Sequence, residues 1–207
     1  MSRAMVRRLR WAAAVVAATL ALAGLPATAS AAAASGTAPD ARSVTFTDQQ
    51  VLELTRDGTR RGASGLGVHH TDADRVTARN AAVAYAACDG CRAVSLSFQV
   101  VLADGRPTDV DAQNLAVAVN DHCRRCETLA VAYQVVVASP GRTRLTEVGR
   151  VGLQYVELRL GGLARSGRPL PEIRREADRL MRIVQDIVTE ELDARPVIRE
   201  RERWDRD

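Results

Sequence analysis

The chain contains no lysine: all 29 of its basic residues are arginine. That absence removes several mechanisms at once. A P-loop lysine, a Schiff-base lysine and a Ser-Lys dyad each need an ε-amino group that this protein cannot supply. Aromatic residues are scarce too, at 3% of 207 residues, so the core must be built from Val, Leu and Ala. Such small side chains bring backbones close together. Histidine is limited to His69, His70 and His122, with no His-Glu-x-x-His spacing. Ser64 lacks the second glycine of a nucleophile elbow, because Leu66 stands in its place. After residue 31 no apolar run approaches the ~20 residues that cross a bilayer.

What is present begins with a leader. Arg3, Arg7, Arg8 and Arg10 precede an uncharged apolar run from Trp11 to Leu25. Ala27-Thr28-Ala29 and Ala29-Ser30-Ala31 then offer small-residue cleavage sites. This order predicts a cleavable secretory signal peptide over residues 1–31, and a protein that is secreted or held at the cell surface. Left uncut, the same segment would tether the protein; once it is cut, no transmembrane span is expected. The four leader arginines account for the entire net charge of +4. The remainder is close to neutral, which argues against nucleic acid as a partner. The partner expected is a protein or a component of the cell envelope.

Residues 32–41 are rich in Ala, Ser, Gly and Pro and read as a flexible linker. Residues 42–79 are ambiguous: Val44 and Phe46 alternate like a strand, Val51 to Leu54 fits strand or helix, and Arg56-Asp57-Gly58-Thr59 is a turn. The glycines from Gly62 to Gly67 suggest a loop.

Residues 80–138 repeat themselves. Asn80 to Tyr85, Cys88-Asp89-Gly90-Cys91 and Val94 to Val101 recur as Asn114 to Val119, Cys123-Arg124-Arg125-Cys126 and Leu129 to Val136. Both Cys-x-x-Cys pairs align, as do Asn80 with Asn114 and Gln99 with Gln134. Val94, Leu96, Phe98 and Val100 alternate with Ser95, Ser97 and Gln99, the period of a strand. Each unit therefore reads as a β-hairpin turning at its cysteines. Asp89-Gly90 suits a two-residue turn with positive φ at both positions, and Arg124-Arg125 suggests a different turn type.

Residues 143–193 predict a helical hairpin. Val148, Val151, Tyr155, Leu158 and Gly162 form the first apolar stripe, with Thr143 or Thr146 as N-cap. Ile173, Ala177, Leu180, Val184, Ile187 and Val188 form the second, opposite an exposed face laced by Arg174–Asp178 and Asp178–Arg182 pairs. The charged tail spans 194–207. The fold class expected is α+β: two duplicated β-hairpin units form a small sheet whose apolar face packs against an antiparallel helix pair.

Residues 80–193, with their Asn-Ala-x-Val-Ala, Cys-x-x-Cys and Gln-x-Val pattern and the Glu/Arg/Leu helices that follow it, resemble a family of uncharacterised exported actinobacterial repeat proteins. Some of its members carry a peptide zinc metalloprotease label. The resemblance implies the repeat architecture; the label would imply a zinc protease, whose His-Glu-x-x-His motif this chain lacks.

Four cysteines in an exported chain favour disulfides, with Cys88–Cys91 and Cys123–Cys126 as the simplest pairing and pairing between units as the alternative. A tetrathiolate zinc site on Cys88, Cys91, Cys123 and Cys126 is the sharper reading, and a thiol-redox pair a third. His69 and His70, beside Asp72 and Asp74, are further metal candidates against a plain polar loop. Asp109 and Asp111 open like a calcium loop but lack its later glycine and glutamate, so they read as a polar turn. Gln99 and Gln134 are placed to hydrogen-bond across the sheet. No catalytic residue is singled out and no cofactor is expected, zinc being the alternative. The function expected is a non-enzymatic structural or interaction module stabilised by disulfides; the rival is a zinc-binding or thiol-redox protein.

Overall fold

The computed structural model describes residues 42–53 and 56–194. The expected leader (1–31), the linker (32–41) and residues 195–207 of the charged tail lie outside the described residues.

Six long strands follow one another: β1 (Arg42–Glu53), β2 (Arg60–Thr71), β3 (Arg75–Ala86), β4 (Arg92–Asp104), β5 (Asp109–Asn120) and β6 (Glu127–Ser139). The odd strands form one parallel sheet, in the order β1-β3-β5, and the even strands a second, β2-β4-β6. The chain thus passes back and forth between two sheets, and each odd–even pair makes one coil of a three-coil solenoid. Register stacks like on like: Asn80 lies beside Asn114 and Gln99 beside Gln134.

This arrangement corrects the hairpin expectation. The strands on either side of each Cys-x-x-Cys turn belong to different sheets and pair with their counterparts in the next coil. The reason lies in the two faces of β4. Its apolar face, from Val94 to Leu102, must meet helices, while Ser95, Ser97 and Gln99 must meet polar partners away from water. Parallel stacking between two sheets satisfies both; a hairpin would leave the Ser/Gln face in solvent.

The segment 42–79 is a whole further coil, β1 and β2, leading into β3. Its glycines lie within a strand rather than a loop. A Cβ at Gly62 would collide with the Ala164 carbonyl, and one at Gly65 would fall 2.5 Å from Nε2 of Gln49. The glycines admit close neighbours on both faces of β2.

Between the sheets the side chains are small or polar: Val76, Ala78, Asn80, Ala82 and Ala84 alternate inward along β3. On the opposite face of the even sheet lies the apolar core, where Leu96, Phe98 and Leu102 meet two helices, α1 (Glu147–Ala164) and α2 (Leu170–Glu190). Phe98 and Tyr133 stack edge to face in that layer, with ring centroids 5.3 Å apart. The helix-covered sheet face is as expected.

The stripe of α2 is the predicted one, with Ile173, Ala177, Leu180, Val184 and Val188 buried. The stripe of α1 is not. Leu153, Val156, Leu160 and Leu163 are buried, whereas Val148, Val151, Tyr155 and Leu158 face outward, Leu158 with 77% of its surface exposed. This helix is apolar on two sides, so periodicity could not choose between them. Gly149 and Gly152 chose: they lie against Glu191 and Ile187, where a Cβ would come within 2.8 and 2.9 Å. Thr146 caps α1, its hydroxyl accepting from the Gly149 amide at 3.0 Å.

Two short strands, β7 (Thr143–Leu145) and β8 (Leu192–Ala194), pair antiparallel and tie the start of α1 to the end of α2. Buried Arg92 fastens the connection between the helices, donating to the carbonyls of Gly167 and Arg168 and lying 3.4 Å from Glu127.

Candidate functional site

The cysteines stand in a column at one edge of the solenoid, where three turns stack. Arg56-Asp57-Gly58-Thr59 lies over Cys88-Asp89-Gly90-Cys91, and that over Cys123-Arg124-Arg125-Cys126. Backbone hydrogen bonds hold the layers together: Gly58 N to Asp89 O at 2.8 Å, Gly90 N to Arg124 O at 2.7 Å, and Glu127 N to Cys91 O at 2.9 Å. Side chains repeat the theme. Asp57 accepts from the Asp89 amide at 2.9 Å, and Asp89 from the Arg124 amide at 2.7 Å.

The three turns agree at one backbone position. The third residue is left-handed in each: Gly58 at φ 72°, Gly90 at 67° and Arg125 at 55°. The turn at Arg124-Arg125 still differs from that at Asp89-Gly90, since left-handed His122 at φ 49° precedes Cys123 without a counterpart before Cys88; the expectation of positive φ at Asp89 is corrected, Gly90 alone being left-handed there. Stacking against a neighbouring layer imposes the geometry, even on an arginine.

Cys88 and Cys91 lie at disulfide distance with Cα atoms 5.5 Å apart, and Cys123 and Cys126 likewise at 6.1 Å. Cys88 and Cys91 are buried, and Cys126 packs against them with its Sγ 3.1 Å from the Cys88 carbonyl. In the first coil Thr59 takes the place of a cysteine, its hydroxyl 3.4 Å from Sγ of Cys91. The first coil escaped the sequence reading because it has no cysteines. The signal that could have found it is Asp57-Gly58, in step with Asp89-Gly90.

A polar spine runs through the interior beside this column. Asn80 Nδ2 donates to Asn114 Oδ1 at 2.8 Å and lies 2.9 Å from the Tyr133 carbonyl, while Asn80 Oδ1 accepts from Ser97 at 2.5 Å. Gln134 donates to Gln99 Oε1 at 2.6 Å, and Gln99 to Thr47 at 3.2 Å. The glutamines do bond along the sheet, but in the interior. Every one of these groups is occupied with holding coil to coil.

His69 and His70 do not meet. As neighbours on β2 they point to opposite faces. His69 turns inward to Thr47 Oγ1 at 3.0 Å, and burial lowers its pKa below the usual 6.5. His70 turns toward α1 and lines a groove there. Asp109 and Asp111 lie on β5, not in a turn; Asp111 accepts from Gln113 at 3.0 Å. Among the described residues no group of three or more His, Cys, Asp or Glu side chains is placed to hold a metal ion. Among them, also, no helix is long and apolar enough to cross a membrane.

Two outward faces carry apolar side chains. Val44, Phe46 and Leu52 of β1 and Leu115 and Val119 of β5 stand on the outer side of the odd sheet, with Phe46 54% exposed. Val148, Val151, Tyr155 and Leu158 do the same on α1. Parallel sheets are ordinarily covered on both faces, and exposed apolar patches of this kind mark interaction surfaces. The chain matches no known protein family, no curated protein and no solved structure.

Proposed function

We propose that this protein is an exported structural or interaction module, secreted or displayed at the cell surface, whose solenoid presents apolar faces to a protein or cell-envelope partner. The observation that carries the reading is the pairing of a saturated interior with uncovered outer faces. The spine residues are spent on one another, while Phe46, Leu115 and the Val148–Leu158 stripe stand exposed on the outer faces, with the Arg79 guanidinium 5.9 Å from the centre of the Phe46 ring. Chemistry needs free polar groups converging on a cavity; docking needs exposed apolar area on a rigid frame.

Disulfides Cys88–Cys91 and Cys123–Cys126 would lock two of the three stacked turns, as suits a chain working outside the reducing cytoplasm. The helix pair, read as an antiparallel hairpin, is supported by the opposed contacts of Gly149 with Glu191 and Gly152 with Ile187. Kinship with the exported repeat family would fit the same role without a protease activity.

The experiment is an intact-mass measurement on protein recovered from the medium, native and denatured, with and without reductant. Two disulfides lower the mass by one pair of hydrogens each and block alkylation until reduction. A mass gain that a chelator removes, with four thiols then alkylatable, would overturn the reading in favour of zinc.

A further inference from the structure

A groove opens beside one edge of the even sheet. Among the described residues β2 pairs only with β4. Its other edge offers the amides and carbonyls of alternate residues to a further strand. Leu66, Val68 and His70 face α1 from this strand, and with Leu145 and Leu153 they line a groove of about 360 Å³. No β4 residue borders it, so the groove lies toward the unpaired edge. Val68 is left 39% exposed there.

The two ends of the groove carry opposite charges. Helix α1 runs against β2: Gly62, early in the strand, touches the Ala164 carbonyl at the end of the helix. His70, late in the strand, shares a hollow with Thr143 and Arg144, just before the helix begins. From Ala164 back to Glu157 the helix covers ~10 Å, about the length of three strand residues. Glu157, which also lines the groove, therefore stands near Leu66. Arg144 and His70 mark the other end, ~13 Å along the strand. Among the described residues neither Arg144 nor Glu157 is in an ion pair, whereas Arg150 at the rim is held by Glu147. Asp193 is the cross-strand neighbour of Arg144 on β8 but makes no ion pair with it.

A backbone edge, apolar positions in alternation beside it and one charge at each end together select an extended peptide. Five strand residues span Leu66 to His70, so three alternate side chains of an added strand would face the groove. A plain hydrocarbon chain would fill the middle and leave the edge, Arg144 and Glu157 unanswered.

We propose that the β2 edge and its groove bind an extended segment of another protein, added as a strand, with alternate apolar residues, an acidic residue against Arg144 and a basic one against Glu157. Backbone hydrogen bonds would give such a strand its affinity, and the groove and its end charges its selectivity. The site is apart from the outer apolar faces, so the failure of either docking surface leaves the other standing.

Two short, end-capped peptides test it on the full chain, each alternating Val with Thr between an Arg and a Glu, in opposite orders. Saturable binding of one of them below about 1 mM is the expected result, with newly slowed exchange at alternate amides from 65 to 71; the order that binds gives the strand direction. Arg144→Glu should weaken that binding about 10-fold, and exchanging the peptide's Glu for Arg should restore it. N-methylation of alternate peptide amides, tried in both phases, should abolish binding in one. Failure of both peptides to bind would overturn the proposal, as would binding that neither the backbone methyls nor the charge reversal disturbs. A straight-chain alkyl carboxylate that binds as tightly would give the groove to a lipid-like ligand instead. Amides from 65 to 71 that are all protected in the peptide-free protein would show the edge already taken, by this chain or by a second copy, and would overturn it too.

Discussion

Arg125 stands in the third turn where Gly90 stands in the second, and the two share a left-handed backbone, φ 55° against 67°. For a residue with a Cβ this conformation costs roughly 1 kcal/mol. Arg125→Gly should therefore stabilise the protein by about 0.5–1 kcal/mol, the gain reduced by glycine's greater freedom when unfolded. Gly90→Ala should cost about 1 kcal/mol although its nearest neighbour leaves room at 3.9 Å, because the backbone alone objects. Urea denaturation with the cysteines oxidised reads both, and an unchanged midpoint for Arg125→Gly would contradict the shared geometry.

The first coil lacks only its cysteines. Arg56→Cys with Thr59→Cys places thiols where Cys88 and Cys91 lie one layer on. A third disulfide is expected, stabilising by about 2 kcal/mol on the loop-entropy estimate for so short a loop. Thiol titration and the melting temperature decide; two persistently free thiols would mean that the first turn differs from the others.

The spine should be unequal along its length. Asn80 is buried in the middle coil, and Asn80→Ala strands several acceptors at once, at a cost of about 2–3 kcal/mol. Asn114 lies on the outer strand, exposed, donating to the Ala132 carbonyl at 2.7 Å and accepting from Asn80, which keeps two carbonyl acceptors without it, so Asn114→Ala should cost about 1 kcal/mol or less. Equal losses would show that the third coil is covered in solution.

Two groups should register pH at opposite ends of the scale. His69 is held below 6.5 by burial, so folding favours its neutral form. Its contribution is whole above about 6.5 and is lost as pH falls through the lower folded value. His69→Gln should flatten that part of the stability curve. Tyr133 is pushed up to about 12, first by burial and then by its hydrogen bond to Asp178. Its contribution is whole below pH 10 and is lost as pH rises toward 12, and Tyr133→Phe should remove the highest-pH step from the tyrosinate absorbance.

The two faces of α1 predict opposite outcomes for one chemical change. Leu160→Ala empties a fully buried site and should cost about 2–4 kcal/mol. Leu158→Ala should stay within about 0.5 kcal/mol in the isolated protein. Thermal denaturation separates them, and a large loss at Leu158 would restore the stripe that spacing alone suggests.

The sequence determined which residues are equivalent. Asn80 and Asn114, Gln99 and Gln134, and the two cysteine pairs could be matched by eye because a repeat places the same chemistry at a constant interval. Strand period, the α2 stripe and the Thr146 cap were equally local and equally readable. Tertiary structure alone decided what the equivalent residues touch. A period of two says that Ser97 and Leu96 face opposite ways, but not that the polar side is the interior. That needed a second sheet, whose Asn80 meets Ser97 from across the core. The first coil was hidden because its partners lie one layer away, and glycines that resemble a loop in isolation become a strand once Gln49 and the end of α1 press against them. The buried side of α1 was settled by two glycines that let Ile187 and Glu191 approach. Local pattern fixes the direction in which a side chain points; only the packed neighbour fixes what it finds there.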